Sequence, residues 1–178
     1  MPQSIAFLRA INVGGRVVTM ERLRGLFEEA GFEGVQSYIA SGNIIFEAGS
    51  RGQQKLERLI EHTLREALGY EVPTFVRTAQ EVAQTAHYTP FPDEEADAGS
   101  LFVAFLRDTP GSAAIERLLA CQTPIDSFHV HGREAYWLCR VRASETKVTL
   151  AHLERALGMD ATVRNVSTVR KLAARYGA

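Results

Sequence analysis

Arg9, Asn12, Gly14 and Gly15 lie together in the stretch Arg9-Ala10-Ile11-Asn12-Val13-Gly14-Gly15. Consecutive glycines can turn backbone N–H groups towards one point as an anion-binding nest, and an arginine supplies the counter-charge. An asparagine amide both donates and accepts, so it can read a carbonyl, a base edge or a phosphate. A second polar cluster is Ser41-Gly42-Asn43, and a third runs from Arg164 and Asn165 to Thr168. The chemistry these types share is recognition of a small anionic or nucleotide-like ligand. The candidate binding residues are therefore Arg9, Asn12, Gly14, Gly15, Ser41, Gly42, Asn43, Arg164, Asn165 and Thr168. No Gly-Lys-Ser/Thr follows the glycines and no GxGxxG spacing is present, so neither phosphate-loop signature applies. The same residues also suit tight turns, where Gly supplies a left-handed backbone and Asn tolerates one.

Other chemistries have less to stand on. Ser41 is the one plausible nucleophile, but it lacks the G-x-S-x-G frame, and no histidine is placed near it by sequence. No catalytic residue is assigned. An enzyme acting on a phosphorylated or acylated small molecule is the alternative from a second class, and a protein-interaction module from a third. His129 and His131 stand two apart on a strand and share one face, without a third ligand, so no metal or cofactor is assigned and both are expected to face solvent. Tyr136 and Trp137 alternate, which predicts one inside and one outside. Cys121 and Cys139 show no CxxC spacing and read as reduced core thiols.

Bulk properties exclude little else. A net charge of -1 gives no strong nucleic-acid signal. The longest apolar run, Leu101 to Leu106, is too short to cross a bilayer. With Met1-Pro2-Gln3-Ser4 leading directly into a strand, the expected setting is the cytoplasm, with no membrane partner.

The elements that must position these clusters follow from periodicity. Ile5 to Leu8 reads as a central strand. Thr19 caps a helix carrying Met20, Leu23, Leu26, Phe27 and Ala30 on one face, ended by Gly31. Val35 to Ser41 and Ile44 to Glu47 flank Gly42-Asn43 as a two-residue hairpin of type II′. Leu56, Leu59, Ile60, Leu64, Ala67 and Leu68 mark the clearest helix, stopped by Gly69. Val72 to Arg77 is an edge strand, and Thr78 with Glu81 forms a capping box for a short helix. Tyr88 to Gly99 breaks the pattern with prolines and acidic residues that face water. The order then recurs: strand Leu101 to Arg107, a helix capped by Thr109-Pro110, a hairpin about Gly132-Arg133, and a helix ended by Gly158. A strand at Ala161 to Arg164 and a closing helix with Val169, Leu172, Ala173 and Tyr176 complete it.

Residue repeats support duplication, since Ala6-Phe7-Leu8-Arg9 recurs as Ala104-Phe105-Leu106-Arg107, and Val76-Arg77-Thr78 corresponds to Val163-Arg164-Asn165. The expected fold is α+β, with two tandem ferredoxin-like (βαββαβ) subdomains, each an antiparallel sheet with helices on one face. The boundaries are 1–87, a linker at 88–99, and 100–178. A right-handed crossover puts the loop after the first strand and the hairpin on one sheet edge, so Arg9 and its glycines neighbour Ser41, Gly42 and Asn43. Arg164 lies at the far edge of its own repeat. Packing of the repeats about a pseudo-twofold would bring it towards the first repeat's glycines.

These motifs together resemble a widespread bacterial family of unknown function, number sixteen ninety-seven among such domains. The resemblance rests on Leu8 to Gly15 (with Ala10 for a family Gly), on Tyr38-Ile39-Ala40-Ser41-Gly42-Asn43, and on Thr162 to Thr168, where Val166 stands for a family Trp. It covers nearly the whole chain. It implies two linked ferredoxin-like subdomains and no assigned activity.

Overall fold

The computed structural model describes residues 2–9, 17–39, 42–94 and 99–177. They form two compact units, Met1–Ala83 with Leu172–Ala178, and Gln84–Lys171. Residues 172–178, which the sequence places at the end of the second subdomain, group with the first unit.

The first unit contains β1 (Gln3–Leu8), α1 (Met20–Glu29), β2 (Glu33–Ser37), β3 (Asn43–Glu47), α2 (Gln53–Leu68) and β4 (Thr74–Thr78). Its sheet has the order β2-β3-β1-β4, with every neighbour antiparallel, which is the ferredoxin-like arrangement. Thr19 accepts from Arg22 N–H and starts α1, and Gly69, left-handed at φ 82°, ends α2. Alternation along the strands sends Ala6, Leu8, Ile44, Phe46 and Val76 to the helix side, where they join Leu23, Phe27, Ile60 and Leu64 in one core. The opposite face, with Ile5, Phe7, Ile45 and Phe75, is fully buried as well. Glu57 on α2, itself buried, accepts from the Val76 N–H at 2.9 Å. The carboxylate thus occupies a donor of edge strand β4 that could otherwise pair with another chain.

The second unit repeats the pattern with β5 (Ser100–Leu106), α4 (Ser112–Leu119), β6 (Asp126–His131), β7 (Glu134–Cys139), α5 (Leu150–Leu157) and β8 (Ala161–Asn165). Its order is β6-β7-β5-β8. Glu154 on α5 accepts from Ala161 N–H at 3.1 Å, the counterpart of Glu57. Two further helices, α3 (Ala79–His87) and α6 (Val166–Tyr176), each follow the last strand of a repeat and contribute residues to both units. The expected capping box opens α3: Thr78 N–H donates to Glu81 and Glu81 N–H to Thr78.

Several local expectations are corrected. The first hairpin is not a two-residue turn: β2 ends at Ser37, β3 begins at Asn43, and Asn43 is a buried strand residue. Its side chain donates to Tyr38 O and Ile39 O, both at 3.3 Å, and so holds a longer loop closed. Gly111, not Thr109-Pro110, is the N-cap of α4. Tyr136 and Trp137 are both buried, because both faces of the second sheet are covered. The described acidic residues of the linker, Asp93 and Glu94, are exposed as expected, although the segment that carries them is docked. Tyr88 stacks on His131, and Glu94 pairs with Arg140.

Candidate functional site

The edge expected to gather the first two clusters is built by the β1–β3 register. Phe7 sits opposite Asn43, and Leu8 N–H donates to Gly42 O at 2.9 Å. Arg9 N–H donates to Pro73 O at 3.0 Å, so the chain leaves β1 between the β2–β3 loop and the start of β4. Arg9, Gly42 and Asn43 are thus brought together. Asn12, Gly14, Gly15 and Ser41 lie outside the described residues. The loop that faces Arg9's strand end is under strain. Ile39 holds φ 56°, the one non-glycine with positive φ among the described residues, and it is 41% exposed. A β-branched side chain in that region is an outlier worth about 1–3 kcal/mol, sustained only where surroundings impose it. The Asn43 amide imposes it through the Ile39 carbonyl. At its other end the loop is weighted by Tyr38, which meets Tyr176 edge-on at 6.0 Å and carries the Arg175 guanidinium over its ring at 5.1 Å.

Arg164, Asn165 and Thr168 belong to the second unit. Arg164 pairs with Val103 across β5–β8, as Arg77 pairs with Ile5 in the first unit. Each arginine bends back to the carbonyl of the residue before it, at 3.0 Å in both cases. Arg164 also donates to Thr162 Oγ1 at 2.8 Å, and burial pushes its guanidinium down to about 10. It remains a cation at neutral pH. Asn165 accepts from Ser167 N–H at 2.9 Å and so caps α6, a structural duty that leaves its amide N–H₂ available.

The second unit also holds two polar groups, the histidine pair weighed above and one centred on Asp126 that sequence reasoning did not single out. His129 and His131 do share a face, where both meet an aromatic partner: His131 is exposed as expected, while His129 is half-buried. Tyr88 lies parallel to His131 at 4.0 Å and bonds His129 Nε2 through its hydroxyl at 2.7 Å. Burial, then the neighbouring His131, holds His129 below its ordinary pKa. No group of His, Cys, Asp or Glu able to hold a metal occurs among the described residues. The densest hydrogen-bonded group is centred on buried Asp126, which accepts from Trp137 Nε1 at 2.8 Å, Thr146 Oγ1 at 2.7 Å and Thr123 Oγ1 at 2.9 Å. Burial alone would raise this carboxyl, but bonds from Thr146, Trp137, Thr123 and Cys139 outweigh it and leave the group below its usual range. Every Asp126 oxygen is engaged, so it is a structural tie and not a reacting group. Cys139 is likewise inert: burial pushes its thiol up and away from the reactive thiolate.

The family model described as a protein of unknown function (DUF1697) matches residues 1–136. The chain belongs to this family. A solved structure of a conserved bacterial protein, SP0830 from Streptococcus pneumoniae, is similar to it at 21% identity, with a TM-score of 0.80 over 100% of this chain and 99% of that one. At that identity the likeness establishes the shared fold. No curated protein matches the chain. Among the described residues of this family member, no helix is long and apolar enough to cross a membrane. Val166, beyond the residues that the family model matches, is buried at the start of α6.

Proposed function

We propose that the protein is a binding module for a small anionic or nucleotide-like ligand, held where β1 runs out beside the β2–β3 loop. The observation that carries this is the left-handed Ile39, braced by Asn43 directly across from the end of β1. Backbone strain of this kind concentrates at ligand clamps, where a fixed loop avoids ordering on binding. Arg9 supplies charge at the same edge. Asn12, Gly14, Gly15 and Ser41 follow or flank it in sequence and would add amide and backbone donors.

A thermal-shift screen of the intact protein against nucleotides, phosphates, coenzymes and metabolic acids tests this, with Asn12→Ala alongside. A ligand at a hundredfold its dissociation constant adds about 2.7 kcal/mol, which such a screen resolves. The proposal expects at least one anionic compound to stabilise the wild type and not the variant. Equal stabilisation of both proteins removes the site.

A further inference from the structure

The two sheets end on corresponding edge strands, β4 and β8, and the two edges are finished differently. Alternate residues of an antiparallel edge strand turn their N–H groups away from the sheet. On β4 these include Val76 and Thr78, and a carboxylate caps each: Glu57 accepts from Val76 N–H at 2.9 Å and Glu81 from Thr78 N–H at 2.8 Å. The equivalent residues of β8 are Val163 and Asn165. Ala161 N–H leaves the sheet for Glu154, so by alternation Val163 and Asn165 also turn theirs away from β5. Among the described residues no acceptor meets either N–H.

The sequence explains the difference. Glu81 is the third residue of α3 and closes a capping box back onto Thr78; the third residue of α6 is Thr168, which makes no such bond. Glu57 stands early in α2, a helix of 16 residues, whereas α5 has 8. Both helices end at a left-handed glycine, so the turn that would carry a cap to Val163 is missing from the start of α5. Glu154 reaches only Ala161. The other two edge strands are blunted. β2 slips register between Glu33 and Gln36, and on β6 the Gln122 side chain takes the Phe128 N–H at 3.0 Å.

We infer that β8 accepts an extended segment of another polypeptide as an added strand, whose backbone carbonyls take the N–H groups of Val163 and Asn165. Residues two apart on a strand set these donors about 6.6 Å apart, too far for one carboxylate or phosphate to bridge and equal to the repeat of carbonyls along one edge of an extended chain. A second copy of this chain is a poor occupant. Antiparallel pairing of two β8 strands through these donors places Arg164 directly opposite Arg164, and like charges so placed are destabilising. A register centred on Val163 instead sets Asn165 against Ala161, whose N–H Glu154 already holds. This surface goes beyond the ligand reading at the end of β1 and does not rest on it.

The test selects a displayed library of random peptides on the immobilised full chain, then titrates the labelled full chain with the selected peptides and reads each amide by NMR. Saturable peptides are expected that move the amides of Val163 and Asn165. Thr168→Glu rebuilds on Asn165 N–H the capping box that the first unit has on Thr78, and Thr168→Gln does so without added charge. Each is expected to weaken the peptides about tenfold, as loss of a hydrogen bond at the interface does. Val163→Pro removes the other donor at a place where an edge strand tolerates proline, and is expected to weaken them as much while the remaining spectrum stays folded. Recovery of no saturating peptide overturns the inference. Affinity unchanged in both Thr168 variants overturns it whatever Val163→Pro does to the fold. Shifts centred on Val35 and Ser37 overturn it too, by moving the added strand to β2.

Discussion

Replacing Asn43 separates a structural amide from a ligand-reading one. Its side chain is 1% exposed and donates two bonds, to Tyr38 O and Ile39 O, each at 3.3 Å. Bonds of that length sit at the weak end of the range, so Asn43→Ala should cost about 1–2 kcal/mol. Asn43→Asp keeps the shape but sets a carboxylate oxygen against two carbonyl oxygens in a buried place. That arrangement should cost about 3 kcal/mol or more at neutral pH. The sign with pH follows from the same contacts. Burial and the facing carbonyls raise the introduced carboxyl's folded pKa above its unfolded value of about 3.9, so the penalty is small below that value and grows as pH rises through it. Urea unfolding followed by far-UV circular dichroism, at about pH 7.5 and about pH 4.5, reads the difference between the two variants. The Asp variant should be the less stable by about 1 kcal/mol or more at the higher pH, with the gap narrowing at the lower. A gap that is absent at the higher pH, or that is the same at both, would falsify the account of Asn43 as the loop's brace.

Three other outcomes follow from the structure. Asp126→Ala leaves the Trp137, Thr146 and Thr123 donors unpaired and should destabilise the second unit by about 3 kcal/mol or more, seen in the emission of Trp137, the chain's one tryptophan. Since Asp126 is held below its usual range, its contribution is complete above the ordinary carboxylate pKa and fades as pH falls through the folded value; the variant's stability should depend less on acid pH. His129, depressed by burial and His131, faces Tyr88 and Tyr136 with Glu134 nearby, so protonating it works against the docked segment. Hydrogen-exchange protection of residues 88–94 should therefore fall as pH drops below about 6.5, and His129→Gln, which keeps an acceptor for Tyr88, should flatten that dependence. Glu57→Ala frees the Val76 N–H on edge strand β4; a loss of about 1–3 kcal/mol in urea unfolding is expected, and none would show that water satisfies that donor equally well.

The order of elements was legible because each carries its own local signal. Apolar residues at helical spacing placed α1, α2 and α5, and Gly69 and Gly158 stopped two of them in left-handed caps. The Thr78–Glu81 box could be read residue for residue. Signals that depend on partners far away in the chain failed. Gly42-Asn43 has the form of a two-residue turn, and only the bonds from Asn43 back to Tyr38 and Ile39 lengthen the loop. Tyr136 was expected to alternate with Trp137 between core and solvent, which holds for a sheet with one wet face and not for one covered on both. The grouping of Leu172–Ala178 with the first unit has no local signature either. For the candidate site, the sequence indicated which residues to suspect, and the strand register supplied the reason that Arg9, Gly42 and Asn43 share an edge.

Calorimetric titration of the wild type and Arg9→Ala with the strongest anionic stabiliser is the most direct test of the binding role. The expected result is saturable binding to the wild type and a loss of at least about tenfold in the variant, the usual consequence of removing a charged partner. Urea unfolding should show that the variant stays folded. Equal affinity in the two proteins would contradict a site at the end of β1.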